Sequence, residues 1–137
     1  MERPPALEPA LVSEFVRVAH GDLDAVTALL NREPGLLNAA WDWGGGDWET
    51  GLGAAAHTGS RSIALHLLGA GARIDLFTAA MLGHLETVKA ILTATPAARH
   101  STGAHGIPLI VHARAGGDIA APVVVYLESL DVDDGAG

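Results

Sequence analysis

The chain has 137 residues, 49% of them hydrophobic, a formal net charge of −8 and no Cys, which suits one domain with one continuous core and excludes disulfides and thiolate metal sites. One Lys and seven Arg are scattered along its length, so no basic patch tracks a phosphate backbone and nucleic acid is not expected as a partner. Two Phe and one Tyr against 17 Gly argue for small-faced helices that approach closely, an all-α fold.

Residues 1–10 (MERPPALEPA) lack the basic-then-apolar layout of a signal peptide, and no apolar run reaches membrane-spanning length; a cytoplasmic protein that does not enter a membrane is expected. A first helix ends near Gly21, after which Leu23, Val26, Leu29 and Leu30 recur at helical spacing. The next segment, Trp41-Asp42-Trp43-Gly44-Gly45-Gly46-Asp47-Trp48-Glu49, holds all three Trp. Its glycines permit a tight backbone path, and its aromatics offer flat apolar faces, either to a ligand or to the ends of the flanking helices. A second unit follows, with Gly59 and then Ile63, Leu67 and Leu68. Asp75 directly caps a short helix from Leu76 to Leu82, which Gly83 ends before Leu85, Val88, Ile91 and Leu92. A long loop from His100 to Pro108 carries His105. The last unit has Gly117, then Ile119, Val123, Val124 and Leu127, with Pro122 admissible only in a first helical turn. Residues 131–137 (DVDDGAG) read as a frayed acidic tail. In this reading Gly21, Gly59, Gly83 and Gly117 each end a helix in the left-handed conformation, and Asp22, Ser60, His84 and Asp118 cap the next one.

The stretches GDLDAVTALL at 21, GSRSIALHLLGAGARID at 59 and GHLETVKAIL at 83 resemble ankyrin repeats, over roughly residues 10–130. The resemblance implies an ankyrin-like solenoid of about four stacked helix-turn-helix units in a single domain, 1–137. Thr50-Gly51-Leu52-Gly53 and Ile107-Pro108-Leu109-Ile110 depart from the family's Thr-Pro-Leu-His opening, so those helix starts need other support. The glycines lie 38, 24 and 34 residues apart against a family period of about 33. The middle interval is too short for a hairpin finger, which predicts a notch between two long fingers. By the same resemblance, residues just before each helix-ending glycine line the concave groove: His20, His57, Thr58, Met81, Leu82 and Arg114 among them.

Apolar groove walls with sparse polar anchors suit a small, apolar ligand. Ligand contacts are expected from Trp41, Trp43, Trp48, Asp42, Asp47, His20, Thr58, Met81, Leu82 and Arg114. No Gly-x-Ser-x-Gly elbow and no Cys supply a covalent nucleophile, so the chemistry open to an enzyme is proton transfer. Its candidate acids and bases are His57, His105 and His112 with Glu49, Asp42 or Asp47. Against this, His105 reads first as an exposed loop residue without a role, and His112 as a buried histidine with a satisfied hydrogen bond. His66 and His84 read as structural. The linear spacing of His100, His105 and His112 matches no zinc pattern, and Gly44-Gly45-Gly46 lacks the Lys of a phosphate loop. No metal and no cofactor are therefore expected. Two functions remain open: a pocket performing dehydration, addition, isomerisation or cyclisation, and the protein-interaction module that the family resemblance implies.

Overall fold

The computed structural model describes residues 2–136, with side chains through residue 132. Eight α-helices among these residues follow one another as four pairs: α1 (Pro9–Val18) with α2 (Leu23–Arg32), α3 (Gly51–Thr58) with α4 (Arg61–Gly69), α5 (Leu76–Met81) with α6 (Leu85–Ala94), and α7 (Leu109–Ala115) with α8 (Ala121–Ala136). The chain is predominantly helical but not wholly so. Ala40–Asp42 (β1) and Trp48–Thr50 (β2) form an antiparallel hairpin in which Trp41 faces Glu49.

Side chains set several helix starts. Asp22 accepts from the Ala25 N–H, Thr50 from the Gly53 N–H and Asp75 from the Thr78 N–H, each satisfying a donor that the first turn leaves unpaired. Thr50 thus gives α3 the support that its altered opening demanded. Ser60 and His84 occupy the expected cap positions without capping; the Ser60 hydroxyl instead donates to the His20 carbonyl. Asp118 lies in a 3-10 turn, Gly117–Ala120, ahead of α8, and Pro122 falls in the first turn of that helix.

Gly59, Gly83 and Gly117 are left-handed, with φ of 66°, 78° and 68°. Gly21 is not: α1 passes through a right-handed Ala19 and turns without needing a positive φ. At Gly59 and Gly83 close approach adds a second demand, because a Cβ there would collide with the carbonyls of Ala115 and Ile119.

The first helices α1, α3, α5 and α7 pack side by side, while α2 lies against α4 and α6 against α8. Phe15, Val26, Ile63 and Leu67 are fully buried in one part of the core, and Val88, Ala113 and Val123 in the other. α5 joins the two: Met81 and Leu82 at its end pack with the first cluster, Leu76, Ala79 and Ala80 with the second. Met81 and Leu82, expected to line a groove, are therefore core residues, 1% and 2% exposed. Two other expectations shift as well. Ile119 is half exposed, and His66 points away from the core into solvent. The segment read as a frayed tail continues α8 as far as residue 136, and Gly137 lies outside the described residues.

Between α4 and α5 the chain forms no strand, and Asp75 caps α5 directly. The hairpin and the loop before α7 consequently leave a gap between them over Asp75 and Phe77, although their tips meet through Asp47 and His105. Among the described residues no helix is long and apolar enough to cross a membrane.

Candidate functional site

A cleft of about 840 Å³ occupies that gap. Gly44 to Thr50 of the hairpin form one wall, Thr102 to Gly106 the other, and Asp75 and Phe77 of α5 the floor, with His112 behind.

The hairpin wall is built by Asp42, whose carboxylate accepts from the Gly44 and Gly46 N–H groups and folds the three glycines, all at positive φ. Strand alternation then separates the neighbours Trp48 and Glu49: Trp48 is 62% exposed and Glu49 only 2%. Trp41 sits partly buried against the first core cluster, so it anchors the hairpin and does not line the cleft. Trp43 donates its indole N–H to Glu49 Oε1 over 2.9 Å.

The opposite wall is pinned from the hairpin. The loop carries an isolated bridge between Thr102 and Pro108, and at its tip His105 adopts a left-handed backbone, φ 61°. Such a conformation strains a residue with a side chain and persists where its surroundings hold it. Here Asp47 holds it: one carboxylate oxygen accepts from the His105 backbone N–H and the other meets His105 Nδ1, both at 2.7 Å. That backbone hydrogen bond, together with the imidazole, keeps the Asp47 carboxyl below its ordinary range.

Three elements converge on Glu49 of β2. His20 comes from the turn after α1, His57 from the last turn of α3 and His105 from the loop. His20 Nε2 lies 3.2 Å from Glu49 Oε1; His57 Nε2 and His105 Nε2 lie 2.9 and 3.4 Å from Oε2. The rings of His20 and His57 meet edge to face at 5.0 Å, those of His57 and His105 at 5.4 Å. The outer nitrogens are held as well: His20 Nδ1 lies 3.0 Å from the carbonyl oxygens of Val16 and Arg17. Although His57 Nε2 and Glu49 Oε2 are close, their approach lacks hydrogen-bond geometry, and both atoms are buried without a hydrogen-bond partner. Burial pushes the His57 imidazole below its ordinary range, against the pull of the Glu49 charge.

His112 is 1% exposed, and its Nδ1 donates to the Pro108 carbonyl over 2.9 Å. Its ring packs against Phe77 and lies so close to Gly103 that a Cβ there would come within 2.8 Å of it. Burial pushes its pKa down too, with the Pro108 hydrogen bond opposing.

The structure thus gathers His20, His57, His105, Glu49, Trp43 and Asp47 into one constellation, with Trp48 and His112 at the adjoining cleft. It does not bring Thr58 or Arg114 there. Both are exposed, and the Thr58 hydroxyl bonds back to the Ala54 carbonyl. Asp42 serves the turn. Asp75, Phe77 and Gly103 line the cleft without having been singled out as site residues; the predicted notch above α5 was the signal that pointed to them. In comparisons with known proteins, no family model and no curated protein sequence matches this chain.

Proposed function

We propose that this protein is an enzyme that binds a small molecule in the cleft and moves a proton to or from it through the Glu49 cluster. The helical scaffold is read as a degenerate ankyrin-type stack of four units with one finger missing. In support stand the paired helices, the left-handed glycines at 59, 83 and 117 and the hairpin of β1 and β2.

One observation carries the functional reading: a 2% exposed carboxylate is ringed by three imidazoles at the edge of an 840 Å³ cleft. Burying a carboxylate is unfavourable unless it is paired, and here the pairing groups are imidazoles, which serve as general acids and bases. The cleft is more polar than the sequence suggested, with Asp47, Thr50, Asp75 and Thr102 among its lining beside Trp48 and Phe77. The fitting substrate therefore carries oxygen functions on an otherwise apolar or planar body, and dehydration, addition or cyclisation of a hydroxycarbonyl compound suits it. General acid-base catalysis of this kind contributes roughly 100- to 10,000-fold.

The test is proton exchange and water loss in a panel of β-hydroxycarbonyl compounds and enones incubated with the protein in D2O and followed by proton NMR. Turnover above buffer is expected for some member, falling by at least about 100-fold in Glu49→Gln with the helical spectrum unchanged. Should no member react faster than in buffer, the enzyme reading fails, and the protein-interaction module takes its place.

A further inference from the structure

We infer that His20, His57, His105 and Glu49 form a binding site for one divalent transition-metal ion of the zinc type. The ion site stands on geometry alone; only its use in proton transfer rests on the reading above.

The neighbours of His20 and His105 fix where each ring proton sits. A carbonyl oxygen only accepts, so His20 Nδ1, 3.0 Å from two carbonyls, carries the ring proton. His105 Nδ1 faces the Asp47 carboxylate at 2.7 Å, which gives the same tautomer. In both neutral rings Nε2 then presents a lone pair, and it presents it to Glu49, itself an acceptor. Acceptor faces acceptor at 3.2 and 3.4 Å unless positive charge lies between them. Extra protons place like charges on the rings of His20, His57 and His105, which stand only 5.0 to 6.4 Å apart, with the Glu49 and Asp47 carboxylates to offset them. A single divalent ion satisfies both lone pairs and the carboxylate together, and takes His57 as a third ligand once that ring also carries its proton on Nδ1.

The spacing fits such an ion. Ligands about 2.0–2.1 Å from a metal lie about 3.0–3.4 Å from one another, and the imidazole-to-carboxylate separations are 2.9, 3.2 and 3.4 Å. All four donor atoms lie within 4.8 Å of one another, so a pair at that limit has to close by about 1.4 Å to reach tetrahedral spacing. His57 Nε2 and Glu49 Oε2, buried without a hydrogen-bond partner, point to the place where the ion would sit. The outer contacts of His20 and His105 match what metal-bound imidazoles require, an Nδ1–H held by a carbonyl or carboxylate that fixes tautomer and ring orientation. Three imidazoles and one carboxylate form a borderline donor set, suited to Zn(II), Co(II), Ni(II) or Fe(II); Mg(II) and Ca(II) prefer all-oxygen sites. His20 and His105 remain about one-third exposed, which leaves the ion an open side. An ion held there would lower the pKa of a water on that side and so would supply a base at neutral pH.

Co(II) is the probe, added to chelator-treated, full-length protein. One equivalent is expected to bind with visible absorption bands of low-symmetry nitrogen and oxygen coordination, and Zn(II) is expected to displace it. Zn(II) loading should shift the Nε2 resonances of His20, His57 and His105 in nitrogen-15 NMR and leave those of His66 and His84 in place, an assignment that needs no variant. His57→Ala and Glu49→Gln should bind at least about 100-fold more weakly, and Asp47→Asn about 10- to 100-fold. A folded protein that takes up no stoichiometric Co(II), or binding undiminished in the Glu49→Gln, His57→Ala double variant, overturns the site. Turnover that survives without any bound ion also overturns the ion's role and leaves proton transfer by side chains standing. Stoichiometric binding without turnover on any substrate leaves the ion site standing and removes the enzyme reading.

Discussion

The hairpin at 40–50 and the loop at 101–108 face each other across the cleft and both deliver cluster residues, yet they are held by different forces. The hairpin is positioned by strand register and by Trp41 packed on the first core cluster. The loop has one isolated bridge and a left-handed His105, and its tip is tied down by Asp47 of the opposite wall. One wall is thus part of the fold, and the other is ordered by a contact made within the site. Stability and site geometry should therefore respond to different substitutions.

Trp41→Ala is expected to give the largest effect. Losing a large, partly buried aromatic should destabilise by about 2 kcal/mol or more and disorganise both walls, because the loop has nothing to be tied to once the hairpin shifts. Thermal denaturation checks it; an unchanged melting temperature would place Trp41 outside the packing that holds the hairpin.

Asp47→Asn should instead act locally. The charge-assisted bond to the His105 N–H weakens, so amide exchange at 103–107 should accelerate about tenfold or more while the α3 and α5 amides keep their protection. Uniform acceleration across the chain would erase the distinction between the two walls.

His105→Gly sharpens the contrast further. Removing a side chain from a left-handed position relieves about 1 kcal/mol of strain, offset by the lost contact with Asp47, so the melting temperature should hold or rise slightly. Turnover and metal uptake should still fall, since an imidazole has left the cluster. A clear drop in melting temperature would mean that His105 is structural.

The smallest expected effect is the pH dependence set by His112, buried behind the loop wall. Its folded pKa is lowered from 6.5, chiefly by burial, so between the folded and unfolded pKa values the unfolded chain binds more protons. Its contribution is then most favourable above about pH 6.5, weakens as pH falls through that value and levels off below the folded pKa. Denaturant midpoints from pH 8 to 5 for the native chain and His112→Asn measure it: the slope with pH should be shallower in the variant. An unchanged slope would show that His112 is not the group responsible.

The helical character, the glycine-ended turns at Gly59, Gly83 and Gly117, the Asp75 cap and the gap before α5 could all be read from the chain, because each depends on residues within a few positions of one another. Apolar spacing marks a helix face and a left-handed turn selects glycine wherever the chain packs. Which face was innermost was less legible: Met81 and Leu82 are buried because α5 joins two core clusters, and Ile119 is exposed although its spacing is apolar. The site depended on tertiary structure almost entirely. Glu49 and Trp48 are chain neighbours, and only the register of the hairpin against the core sends one inward and the other to solvent. Asp47 and His105 lie 58 positions apart, and His20, His57 and His105 come from three separate elements, so a search for metal ligands at fixed linear spacing had nothing to find. Local periodicity is encoded in neighbouring residues, whereas a cluster drawn from distant segments exists only where packing brings their ends together.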